Sequence, residues 1–137
     1  YQKQLFQLLD SAPQSGATPP APAKTVYETA KDMLEQYVKY VNPKLAVVHI
    51  KKCLDRLPYI PHNQDLLLDL IVHMGCMLDR CLHKDAVVFE NIQAFKRENQ
   101  PEFEQTRQML DLLAKEYDTV INDDEVCYIV KIIKCRV

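Results

Sequence analysis

Tryptophan is absent from this 137-residue chain, and glycine occurs only twice. So little glycine rules out a Gly-rich phosphate loop and argues against strands joined by tight turns. Neither sign of charge dominates: 17 Lys and Arg stand against 19 Asp and Glu, for a net charge of −2. A nucleic-acid-binding surface would need a basic stripe, and none is visible, so no direct nucleic-acid contact is expected. No apolar run approaches the ~20 residues of a membrane span. The first ten residues, YQKQLFQLLD, are polar on one side and lack the small-residue cleavage site of a signal peptide. A cytoplasmic location is expected. The cysteines are odd in number, at 53, 76, 81, 127 and 135, and fall inside amphipathic segments. They read as reduced thiols used as small core residues, not as a disulfide framework.

Hydrophobic residues make up 47% of the chain, enough for one domain with its own core. Residues 11–24, SAPQSGATPPAPAK, are rich in Pro, Ala and Ser and read as an extended linker. Residues 1–24 are therefore expected to be an upstream tail plus linker, with the domain covering 25–137. The chain begins at Tyr1 without Met, and a module from a longer protein is expected. Thr25 and Glu28 form a capping box, which predicts a first helix from Thr25 to about Val41. Asn42-Pro43 stops it and starts a second, over Pro43 to Leu57. Pro58 and Pro61 break that helix, and a third, the most apolar, runs from Asn63 to about Leu82. A short helix near Glu90 to Lys96, a fourth from Gln100 to Tyr117 and a fifth from Asp123 to Cys135 complete the pattern. The fold class is all-α, a compact bundle of five or six helices, with no solenoid period.

One short pattern occurs twice. VVHIKKCLDR (47–56) and LIVHMGCMLDR (70–80) each carry His-x6-Arg and end in Leu-Asp-Arg. On a helical wheel, Leu67, Ile71, Met74 and Leu78 form the core side of the third helix. His73 lies at the edge of that surface, flanked by Leu66, Leu70 and Met77 on one side and by Asp69 and Cys76 on the other. Arg80 is two turns further along the same face, a rise of ~10.5 Å, and its side chain leans back toward His73. That is far for direct contact with the imidazole but closer to a bulky anion carried on it. A neutral imidazole is nucleophilic near pH 7. Asp69 can accept from one ring nitrogen and leave the other to attack a phosphoryl donor. Arg80 can then hold the resulting oxygens. The ordinary alternative is a packed or hydrogen-bonded histidine. His49 points away from its core side (Val47, Ile50, Leu54 and Leu57) and reads as an exposed histidine on a basic face beside Lys52 and Arg56. His62 reads as a loop or cap residue. His83 is placed to meet the last carbonyls of the third helix.

Metal binding by His73, Cys76, Cys81 and His83 finds little support. His73 and Cys81 lie about 80° apart on the wheel, and no standard ligand spacing is present. Asp123, Asp124 and Glu125 sit at a helix start, where the macrodipole accounts for them. No catalytic residue, cofactor or metal is expected, and the chain does not read as an enzyme.

Three segments in order, YVNPKL (40–45), DLLLDLIVHMGCMLDR (65–80) and INDDEVCYIVKII (121–133), resemble the PTS regulation domain, or PRD. In particular they are similar to its C-terminal copy in sigma-54-dependent activators of sugar operons of the levanase-regulator type. The resemblance covers roughly Val26 to Ile133. It implies an α-helical, usually dimeric domain, set among the other domains of a parent activator. It also implies that the histidine of L-x-x-H-x6-R takes phosphate from the phosphoenolpyruvate–sugar phosphotransferase system, through the histidine phosphocarrier protein or an enzyme IIB. His73 is then the phosphoacceptor and Arg80 its companion. His49 falls in the preceding helix and does not occupy that site. Many members carry a second acceptor a few residues after Glu-x-x-Tyr; here Glu125-Val-Cys-Tyr128 is followed by Ile132 and Ile133, and no histidine follows His83. A single-site domain is expected rather than a doubly phosphorylated one or an RNA-binding antiterminator. The competing expectations are a structural dimerisation or docking module without phosphorylation, and a metal- or ligand-binding bundle.

Overall fold

Three helix starts rest on side chains that take up backbone N–H groups otherwise left without partners. In the computed structural model, which describes residues 25–57 and 63–136, Thr25 Oγ1 accepts from the Glu28 N–H at 3.1 Å. Asn42 and Asn63 do the same for Leu45 and Leu66, each at 3.1 Å. The helices that follow are α1 (Val26–Tyr37), α2 (Pro43–Leu54) and α3 (Gln64–His83). A short α4 (Ile92–Glu98), then α5 (Gln100–Glu116) and α6 (Asp123–Arg136), follow among the described residues. The domain is all-α. The tail and linker expected over 1–24, the Pro58–Pro61 break and His62 lie outside the described residues.

Two helices end earlier than their sequence pattern predicts. α1 stops at Tyr37 instead of about Val41, because Val38 is extended and the next two N–H groups leave the helical ladder. Those of Lys39 and Tyr40 donate to one carboxylate oxygen of Asp79 in α3, at 2.9 and 2.6 Å. α2 stops at Leu54 instead of Leu57, its end tightened by three-residue bonds from Arg56 to Cys53 and from Leu57 to Leu54. α4 starts at Ile92 rather than Glu90 and runs two residues beyond the expected Lys96.

α3 is the central element and packs against α1, α2 and α6, while α5 packs on α2 and α6. Its buried arc is wider than the wheel suggests. Leu66, Leu70 and Met77, expected beside His73, are fully buried together with Ile71, Met74 and Leu78, whereas Leu67 is only partly covered. Gly75 permits the close approach of α1: a Cβ there would stand 2.6 Å from a Leu34 methyl. One strip of α3 runs along the margin of the core, formed by Asp69, His73, Cys76 and Arg80 at steps of four, three and four residues. Among the described residues no helix is long and apolar enough to cross a membrane.

Candidate functional site

The open strip of α3 faces α6 across a groove of about 550 Å³. Asp69, His73 and Arg80 supply one wall. Glu125, Tyr128, Ile129, Ile132 and Cys135 supply the other, and their spacing places them on a single face of α6. Val87, from the α3–α4 connection, and Lys131 also line it. The structure thus brings the three expected site residues to one surface feature, with the imidazole of His73 exposed and Asp69 half-buried.

Arg80 has a partner that the sequence did not disclose. Its Nε donates to Glu125 Oε2 at 3.1 Å and its Nη2 to Oε1 at 2.8 Å, a two-bond fork between α3 and α6. The Glu125 side chain is 4% exposed and that of Arg80 36%. Glu125 is therefore nearly sealed from solvent, and Arg80 is the more exposed partner of the pair. These hydrogen bonds raise Arg80 further above the ordinary guanidinium value, with burial working against them. The fork uses two of five guanidinium N–H donors and fixes the plane of the group.

The acidic run at the start of α6 does more than answer the helix dipole. Asp123 is paired with Lys96 of α4 and Arg107 of α5. Asp124 accepts the Phe89 N–H at 2.9 Å. Glu125 takes Arg80. Three successive carboxylates thus tie α6 to α4, α5, the α3–α4 connection and α3. Tyr128 adds a further tie, its hydroxyl donating to the Val88 carbonyl at 2.7 Å. The only local hint of this was the Glu-x-x-Tyr spacing, which places residues 125 and 128 on one helical face.

His49 departs from its expected exposure. Its side chain is only 23% exposed. Its Nδ1 shares a 2.9 Å hydrogen bond with the Tyr117 hydroxyl and its Nε2 lies 3.4 Å from Glu116, both at the end of α5. Tyr117 also meets the imidazole edge-on, with ring centroids 5.3 Å apart. The helical wheel placed His49 outside the α2 core side correctly but could not show α5 arriving over it. His83 stacks on Tyr40 at 4.7 Å and lies 3.9 Å from Asp85, while the end of α3 is closed by the left-handed Lys84.

Cys53 and Cys127 are buried and Cys76 and Cys81 half-buried, as small core residues should be; Cys135 is exposed on the groove. Burial pushes the Cys127 thiol up to about 11. Among the described residues no three His, Cys, Asp or Glu side chains converge as metal ligands.

The PRD domain family matches residues 48–134, more than half of the chain, and the chain belongs to that family. It is thus a domain of the kind governed by the phosphotransferase system, whose components such domains contact. No curated protein and no solved structure matches it significantly.

Proposed function

We propose that the chain is a single-site regulatory domain in which His73 accepts a phosphoryl group from the histidine phosphocarrier protein or an enzyme IIB. In this reading it serves a sugar-operon activator of the sigma-54-dependent type, in the cytoplasm, and acts as an acceptor rather than as an enzyme. One observation carries the reading: an exposed His73 shares an open groove with Arg80. In the transfer, an imidazole nitrogen lone pair attacks phosphorus and a new N–P bond forms. The donor's N–P or S–P bond breaks, its electron pair leaves with the donor, and the proton on the other ring nitrogen can pass to solvent. The product adds nearly two negative charges at the rim of an apolar core. Such a dianion is disfavoured against an apolar partner surface and favoured beside arginine, so the packing of a homodimer changes with it.

Incubation of the protein with phosphoenolpyruvate, enzyme I, the phosphocarrier and candidate IIB proteins is expected to yield an acid-labile phosphate. The label is expected to vanish in His73→Ala and persist in His49→Ala. Equal labelling of His73→Ala would remove His73 as the acceptor. A second reading, a docking or dimerisation module without the switch, draws on the absence of histidine from the α6 wall, where Ile132 and Cys135 stand. Unchanged regulator output in both His73→Ala and His73→Asp would favour it.

A further inference from the structure

Arg80 stands between two claims. It is forked onto a carboxylate that is nearly sealed from solvent, and it lines the groove into which His73 projects. Glu125 sits on a different helix from Arg80, and its side chain is only 4% exposed. We infer that Glu125 is the coupling residue of this domain: a phosphoryl group on His73 competes with Glu125 for Arg80, and loss of the fork releases the first turn of α6 from α3. The inference rests on His73 as the acceptor.

The direction follows from charge and geometry. A phosphoryl group offers close to two negative charges and three oxygens, against one charge and two oxygens on Glu125. Arg80 leans toward the N-terminal end of α3, where His73 lies, so reaching the phosphoryl oxygens draws it along α3 and off α6. The two anions also repel each other across one groove. Asp69 adds negative charge to the same groove, and Lys131, on the α6 side, is a cation that offsets part of it. Once Arg80 departs, the Glu125 carboxylate is buried without its partner, a situation far more costly than the intact pair. The first turn of α6 also carries Asp123 and Asp124, through which α4, α5 and the Phe89 segment are attached. Loosening at Glu125 is thereby passed to three other elements.

The test uses potassium phosphoramidate, which phosphorylates histidine without any protein donor, on the full chain, with His73→Gln as the reference for label at other histidines. Hydrogen exchange of the α6 amides is read by mass spectrometry, with occupancy of residue 73 measured in the same samples. Phosphorylated wild type is expected to exchange about tenfold faster or more over the first turns of α6, as a buried charge losing its partner requires. In Glu125→Gln, the same modification is expected to change exchange there by less than about threefold, a bound set by the same loss of partner. Arg80→Lys, which keeps the charge but not the fork, is expected to blunt the response likewise and serves if Glu125→Gln does not fold. Unchanged or slower exchange in phosphorylated wild type overturns the inference. So does a response in either variant as large as that of wild type, or a His73 that phosphoramidate cannot label. If α6 responds to phosphoramidate while no phosphotransferase protein labels His73, the coupling stands and the proposed function falls.

Discussion

His49 and His73 head the same pattern, His-x6-Arg with Leu-Asp-Arg at its end, on neighbouring helices, and the fold gives them opposite surroundings. Around 73 the imidazole is left exposed while its arginine is fixed: Arg80 is forked onto buried Glu125, and Asp79 holds the Lys39 and Tyr40 N–H groups. Around 49 the imidazole is fixed while its arginine is left in solvent: Tyr117 and Glu116 take His49, and Arg56 is exposed. Equal spacing along two helices therefore carries no common chemistry. What decides is the element that packs over each face, α6 with a glutamate in one case and the end of α5 with a tyrosine in the other.

The strongest way to break this contrast is to remove each arginine in turn. Arg80→Ala leaves Glu125 buried and unpaired and is expected to cost about 3 kcal/mol. Arg56→Ala, at an exposed position, is expected to stay within about 0.5 kcal/mol of wild type. Urea unfolding of the two variants measures both, and similar losses would erase the distinction between the two copies.

Removing the histidines reverses the ranking. His49→Ala loses its bond to Tyr117 and is expected to cost about 1 kcal/mol. His73→Ala is expected to change stability by less than about 0.5 kcal/mol, because its side chain is exposed. The same unfolding experiment decides, and a His73→Ala variant less stable than His49→Ala would mark residue 73 as a packing residue instead.

The smallest expected effect separates the two regions by acid. The Lys96 hydrogen bond, and then Arg107, hold the Asp123 carboxyl below its ordinary value of 3.8. A carboxyl depressed in the folded state contributes its stability above the unfolded value and loses it as pH falls through the folded one. The attachment of α6 is therefore expected to weaken below pH 3.8, and Asp123→Asn to flatten that loss while lowering stability slightly at neutral pH. Denaturant midpoints across that range check it, and a variant with wild-type acid sensitivity would assign the loss to other groups.

Much of the fold is legible in the residues. Thr25, Asn42 and Asn63 mark helix starts because a cap is a contact across three residues, and the apolar repeat of 66–78 marks a central helix because burial follows a period of 3.6. The strip of Asp69, His73 and Arg80 is legible for the same reason. The ends of α1 and α2 are less so, since α1 is ended by Asp79, about forty positions away. Glu125 illustrates the same limit. As part of an acidic triplet at a helix start it fits the helix dipole, and nothing nearby in the chain announces Arg80.

Local order thus belonged to the amino-acid sequence by itself: a bundle of five or six helices, the caps of three of them, their apolar faces, and a histidine left at the margin of the central one. Such features arise from interactions within one or two turns, and these are written in spacing. The tertiary structure alone decided that Arg80 meets Glu125, that His49 is closed over by Tyr117, and that an open groove lies before His73. Those outcomes join residues 45 and 68 positions apart, and only the packing of whole helices sets the distances between them.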